Sequence, residues 1–82
     1  MVIKVSGWKL VDKVYDKDDS WEKYSDGKGN VIDVWKRSPN HWNCTINGSF
    51  LNRGVSKGNA MKSAEWYMKR YSTGGRKNNL KW

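Results

Sequence analysis

The sequence predicts an α+β fold, in which a small antiparallel sheet of three to five strands packs one face against a single C-terminal helix. Two observations carry this prediction. Asn47 and Gly48 lie between two runs of strand-forming residues, and both accept positive φ at low cost, which is typical of a two-residue β-hairpin. After the hairpin, apolar residues recur at spacings of three and four from Ala60 to Tyr71, which is typical of an amphipathic helix.

Five segments have the β-branched or aromatic content and the flanking turn residues of strands. They are residues 2–15, which can hold one or two strands with a bend at Gly7, and residues 21–24, 31–37, 41–46 and 49–55. An acidic turn separates the first two segments, and a glycine-containing loop separates the second from the third. The sheet is therefore expected to begin in the first half of the chain.

The two-residue turn predicts the register of the last two strands, with Ile46 opposite Ser49 and Cys44 opposite Leu51. Counting further back places Trp42 opposite Arg53. The predicted core face carries Trp42, Cys44, Ile46, Leu51 and Val55. The predicted polar face, which we expect the helix to leave free, carries His41, Asn43, Thr45, Phe50 and Asn52.

The helix is predicted over residues 57–72, with Ser56 or Asn59 as its N-cap and a stop at Gly74 and Gly75. Its apolar stripe consists of Ala60, Met61, Ala64, Tyr67, Met68 and Tyr71. Its opposite side carries Lys62, Trp66, Lys69 and Arg70. Glu65 can pair with Lys69 one turn later.

A length of 82 residues supports one domain, which we place at residues 1–75, followed by a basic and flexible tail at residues 76–82. Dimerisation is one way for so short a chain to gain buried area. Cys44 is the only cysteine, which excludes an internal disulfide and fits a reducing compartment. No signal peptide and no apolar run long enough for a membrane span is visible, so we expect a cytoplasmic protein.

The sequence does not favour catalysis. His41 is the only histidine, and the predicted register puts it on the opposite face of its strand from Cys44, so the two cannot form a nucleophile–base pair. The acidic turn at residues 16–20 lacks the spacing and the distal glutamate of a calcium loop, and residues 26–30 lack the Ser/Thr and the spacing of a phosphate loop. We expect a non-enzymatic protein with no metal and no cofactor.

Charge is distributed unevenly. Residues 1–34 hold six lysines against seven acidic side chains, whereas residues 35–82 hold ten Lys or Arg against Glu65 alone, for a formal net charge of +8. Such asymmetry points to an anionic partner, and nucleic acid is the first candidate. The predicted contact residues are Lys36, Arg37, Arg53, Lys57, Lys62, Trp66, Lys69, Arg70, Arg76, Lys77 and Lys81.

Aromatic residues are interspersed with these charges, and an exposed ring in a basic groove can stack on unpaired bases. Trp35 and Trp42 are expected in the core. Trp66 faces away from the apolar stripe, so it can belong to the core or serve as an anchor for a protein partner. Phe50 lies on the polar face, where it can stack on a base or simply be exposed.

The hairpin and helix, residues 41–71, resemble the AP2/integrase arm-type DNA-binding domain, whose matching positions are Trp42, Gly48, Gly54, Ala60 and Ala64. The resemblance implies a three-stranded sheet packed on a helix, with a sheet face that enters the major groove of DNA. The family's arginine-rich face is only partly present here, through Lys36 and Arg37. The whole chain also resembles, in composition alone, the small Lys- and Asn-rich early proteins of large lytic phages.

Two functions follow as hypotheses. The first is a nucleic-acid-binding module that contacts mainly phosphates, with RNA or single strands favoured over duplex DNA because of the polar sheet face and the spare aromatics. The second is a phage-type inhibitor or anti-defence factor that binds an acidic host protein such as a nuclease or toxin, with or without RNA, and uses its basic face for electrostatic steering.

Overall fold

The computed structural model describes residues 3–17 and 19–72, which form a five-stranded antiparallel sheet and one helix. The strands lie side by side in chain order, so every connection joins neighbours. The elements are β1 (Lys9–Tyr15), β2 (Ser20–Ser25), β3 (Val31–Ser38), β4 (His41–Ile46), β5 (Ser49–Val55) and α1 (Lys57–Arg70). The predicted α+β class and the single C-terminal helix are confirmed, with the strand number at the upper end of the predicted range.

The helix begins as the sequence predicts. Ser56 is the N-cap, and its side-chain oxygen accepts a hydrogen bond from the backbone N–H of Asn59. The helix ends at Arg70 rather than at residue 72, since Tyr71 leaves the helical conformation with φ −122° and ψ 44°. The predicted stop at Gly74 and Gly75 and the predicted tail lie outside the described residues.

The core lies between α1 and the sheet, where α1 packs against β3, β4 and β5. From the predicted stripe, Ala60, Ala64, Tyr67, Met68 and Tyr71 are buried, and Met61 packs at the margin. The sheet contributes Tyr24, Ile32, Val34, Trp42, Cys44 and Ile46. The first and last described segments meet here, because the Trp8 indole Nε1 donates a 3.0 Å hydrogen bond to the Tyr71 carbonyl oxygen.

The predicted register is correct next to the β4–β5 turn and wrong further along. Ile46 pairs with Ser49 as predicted, but Cys44 pairs with Asn52 instead of Leu51. The cause is a β-bulge between Thr45 and Cys44, where β5 has one residue more than β4. Asn52 therefore lies on the helix side of the sheet, where its amide donates a 3.1 Å hydrogen bond to the Ser63 hydroxyl.

A second irregularity, between Cys44 and Trp42, adds one more residue to β5 at the far end of the hairpin. Trp42 pairs with Val55 and not with Arg53. At this point the Gly54 N–H donates a 2.8 Å hydrogen bond to the side-chain oxygen of Asn43. Since Gly54 has a φ of +65°, its lack of a side chain suits the irregular strand end.

The hairpin turn gives a stability prediction with a built-in control. Gly48 has a φ of +88°, and a Cβ added there would meet no atom within 4 Å, so Gly48→Ala should act through backbone strain alone and lower the free energy of unfolding by about 1 kcal/mol. Gly58 lies in the first turn of α1, where a Cβ has room, so Gly58→Ala should raise stability by about 0.5 kcal/mol. Urea denaturation of the two variants and the wild type measures both changes. Equal effects of the two substitutions would contradict the assigned turn.

Candidate nucleic-acid interface

The face of the sheet that α1 does not cover presents two parallel rows of side chains across the strands. Residues paired across antiparallel strands point to the same face, so the register defines the rows. The aromatic row runs through Val14, Trp21, Trp35 and Asn43. The polar row runs through Asp12, Lys23, Asp33, Thr45 and Phe50. Together the two rows form what we call the open sheet face.

Trp35 lies on the open sheet face and not in the core, which corrects its predicted position. Ile32 and Val34 are fully buried under α1, and alternation along β3 turns Trp35 to the other side. The expectation for Trp42 is confirmed, with 8% of its surface exposed. Trp is more often a core residue, but the β-branched residues on either side of Asp33 already indicated which face of β3 is the core face.

The rings of the open sheet face border a concavity of about 400 Å³. It is lined by Trp21, Lys23, Asp33, Trp35, Thr45, Gly48 and Phe50. The ring centroids of Trp35 and Phe50 are 6.1 Å apart with an interplanar angle of 38°, so the two rings are tilted towards each other without stacking flat. Phe50 is 51% exposed, and the Arg53 guanidinium lies 5.2 Å from its centroid. The surface therefore combines apolar ring faces with cations.

Asp33 places a carboxylate in the floor of this concavity. It is partly buried, and this burial raises its pKa above the ordinary value, while the positive charge of Lys23 on the neighbouring strand acts in the opposite direction. Thr45 on β4 pairs with Asp33 on β3 and is buried. Polar groups at the base of an aromatic concavity are the kind that orient a ligand.

The predicted basic residues do not converge on one surface. Arg53 belongs to the open sheet face through its contact with Phe50. Lys62, Lys69 and Arg70 are exposed on α1, which covers the other face of the sheet. Lys69 pairs with Glu65 as predicted, with 3.1 Å between Nζ and Oε2. The sheet thus separates Arg53 from the exposed cations of α1.

Three further predicted residues lie near the end of the sheet. The Lys36 ammonium donates a 2.7 Å hydrogen bond to the Lys17 carbonyl oxygen. The Lys57 ammonium lies 5.3 Å from the Trp42 ring centroid on the helix side. Arg37 is exposed on β3. The predicted residues Arg76, Lys77 and Lys81 lie outside the described part of the chain.

Trp66 is half exposed on α1, so it is not a core residue. It borders a shallow groove between the helix and the edge strand β5, together with Leu51 and Lys62. The Arg70 guanidinium lies 5.9 Å from its ring centroid. Its exposure excludes the core position that the sequence left open, and its role as an anchor for a protein partner stays a prediction.

Two titratable residues, Glu22 and Cys44, are buried on the helix side of the sheet. Glu22 is 2% exposed, and its carboxylate accepts hydrogen bonds from the hydroxyls of Tyr15 and Tyr24, the latter at 2.5 Å. The hydrogen bond from the Tyr15 hydroxyl to Glu22, together with burial, raises the pKa of Tyr15 to about 12. Burial raises the pKa of the Cys44 thiol to about 12 as well, so the thiol is the small core residue that the sequence predicted and a poor nucleophile.

In the described part of the chain, α1 has 14 residues, and no helix is long and apolar enough to cross a membrane. No family model matches the chain, and no curated protein or solved structure is significantly similar to it. The resemblance of residues 41–71 to AP2/integrase domains therefore stays a prediction.

Proposed function

We propose that this protein is a non-enzymatic module that binds single-stranded nucleic acid, RNA or DNA, on the open sheet face. The observation that carries the proposal is the position of Trp21, Trp35 and Phe50 on the face that α1 leaves uncovered. Large rings that are not used in the core of an 82-residue chain offer flat apolar surface to a ligand.

Unpaired bases are the ligands that fit such rings best. Every base has a π-face, so stacking on Trp or Phe gives affinity without requiring one sequence. Duplex DNA keeps its bases stacked on each other, and a sheet face could reach only their edges in a groove. The tilt between the Trp35 and Phe50 rings suits successive bases that are splayed out of a helical stack.

Cations beside the rings support a nucleic-acid ligand over an uncharged one. Arg53 and Lys23 lie on the open sheet face, where they can contact the phosphates that flank a stacked base. The remaining positive charge, including the group on α1, gives the protein a field that attracts a polyanion from a distance. Phosphate contacts supply the larger part of the affinity, and the rings select unpaired strands.

The proposal predicts a salt-dependent affinity with a defined location. Fluorescence anisotropy with one labelled mixed sequence, as single-stranded DNA, RNA and duplex, should show tighter binding of both single strands and a logarithmic affinity that falls linearly with the logarithm of salt concentration. Arg53→Gln should weaken binding and make the slope shallower by about 0.7, the value for one phosphate contact on a single strand. Lys62→Gln removes the same charge on the helix side and should leave the slope nearly unchanged.

Three results would contradict this proposal. An affinity that does not change with salt would contradict the phosphate contacts. Tighter binding of the duplex than of the single strands would contradict the role of the rings in stacking. A larger loss for Lys62→Gln than for Arg53→Gln would move the interface to α1, where the sequence also placed candidate residues.

A second candidate function is that of an inhibitor or adaptor that binds an acidic protein. The observation that favours it is Trp66, half exposed beside Leu51 and bordered by Lys62, since exposed Trp next to cations is typical of protein–protein anchors. Affinity capture with and without nuclease separates the two functions. A partner that survives nuclease treatment and is lost in Trp66→Ala, but not in Trp35→Ala, would favour the inhibitor.

A further inference from the structure

Among the described residues, Asp33 is the one acidic side chain that lines the aromatic concavity of the open sheet face. It lies two residues before Trp35 on β3, so both side chains point to the same side of the sheet. The rise of a strand separates their Cα atoms by roughly 6.5 Å, which is comparable to the width of a nucleobase. A base stacked on the indole of Trp35 thus has its edge within reach of the carboxylate.

The carboxylate of Asp33 is partly desolvated, and its oxygens can accept further hydrogen bonds. Within residues 3–17 and 19–72 its oxygens accept no hydrogen bond, and Lys23 is the charged side chain that acts on it. Burying an acceptor that receives no hydrogen bond is unfavourable, and a ligand that donates a hydrogen bond to it offsets this cost. An anion in a site for a polyanion also repels phosphate, so its position favours contact with a base edge and not with the backbone.

The chemistry of the base edges decides which bases can supply the missing donors. Cytosine, adenine and guanine carry exocyclic amino groups. Uracil and thymine have a carbonyl oxygen at C4, the position where cytosine has its amino group. A carboxylate accepts hydrogen bonds only, so it pairs with an amino group and repels a carbonyl oxygen. Asp33 can therefore discriminate between two pyrimidines that stack on Trp35 in the same way.

We propose that Asp33 makes the open sheet face selective for unpaired bases that carry an amino group, and in particular for cytosine over uracil. The selectivity rests on the proposed function, because it acts on a base already stacked on Trp35. Lys23 partly offsets the rise that burial causes in the pKa of Asp33 and is placed to contact the adjoining phosphate, and Thr45 lines the same concavity.

The test compares short oligo-dC with oligo-dU, which differ at the base edge and not in a methyl group, at slightly alkaline pH, where oligo-dC stays single-stranded. The wild type should bind oligo-dC at least about tenfold more tightly, the effect of one hydrogen bond to a charged acceptor. Asp33→Asn should bring the two affinities within about twofold of each other, since an amide both donates and accepts. Asp12→Asn is the matched control, because Asp12 lies in the same polar row but at the sheet edge, with Lys23 between it and Asp33.

Each outcome separates this inference from the function on which it rests. If the wild type binds neither oligomer, the proposed function fails and the selectivity fails with it. If both bind equally well, the function stands and the selectivity is overturned. A preference that survives Asp33→Asn, or that disappears equally in Asp12→Asn, would also overturn the role of Asp33. Circular dichroism of both variants checks that the fold is unchanged.

Discussion

Replacing Trp35 with alanine is expected to weaken binding of single-stranded nucleic acid by about 2 kcal/mol, which is roughly thirtyfold. Trp35 stands at the centre of the aromatic row, between Trp21 on β2 and Asn43 on β4, and its ring borders the concavity beside Phe50. Its removal takes away the central stacking surface. The affinity is measured by anisotropy at one fixed salt concentration, because the phosphate contribution changes with salt.

Trp66→Ala is the matched control for this prediction. Trp66 has the same side chain and is 50% exposed, but it lies on α1 and does not line the concavity that Trp35 borders. We expect its loss to change single-strand affinity by less than about twofold. Trp35→Phe should restore most of the affinity lost in Trp35→Ala, since a phenyl ring still stacks on a base. Equal losses for the Trp35 and Trp66 variants would contradict an interface confined to the open sheet face.

Tyr67→Ala should lower the free energy of unfolding by about 3–5 kcal/mol, the usual cost of truncating a fully buried aromatic residue. Tyr67 is 1% exposed and meets the Trp8 ring edge-on, with 6.0 Å between centroids. The Tyr71 ring lies 4.7 Å away on its other side. A domain of this length has a total stability of roughly 4–12 kcal/mol, so the variant should lose at least about a quarter of it.

The neighbouring residue again provides the comparison. Trp66→Ala removes a larger side chain that is half exposed, and it should cost less than about 1 kcal/mol. Urea denaturation followed by circular dichroism measures both variants. If Tyr67→Ala yields no folded protein, the milder Tyr67→Leu keeps much of the volume and should still destabilise more than Trp66→Ala. Equal destabilisation by the Tyr67 and Trp66 variants would contradict the assigned faces of α1.

The elements that the sequence predicts correctly are those determined by neighbouring residues. The Asn47–Gly48 turn adopts positive φ at both residues, as the residue types require. The start of α1 at Ser56 depends on one side chain and the first turn that follows it. Both are local features, so a single sequence is enough to locate them.

The features that the sequence did not predict depend on contacts between distant parts of the chain. The bulge in β5 puts Asn52 under α1, where it meets Ser63, and turn chemistry alone gives no signal for that contact. Trp35 was expected in the core because Trp is more often a core residue, although its neighbour Val34 is the buried one. The sequence did not indicate Asp33 as a site residue. Its role depends on Trp21, Trp35 and Phe50, which lie on three different strands and line the same concavity.

The hydrogen bond between Trp8 and Tyr71 spans a sequence separation of 63 residues and has a consequence for how the protein folds. Contacts between residues this far apart require a large loop to close, which slows folding relative to locally connected helical proteins. During synthesis the N-terminal segment leaves the ribosome long before the helix that completes its packing. The indole of Trp8 therefore stays without its native partner until residue 71 has emerged, and the domain is expected to fold late in translation and in one cooperative step.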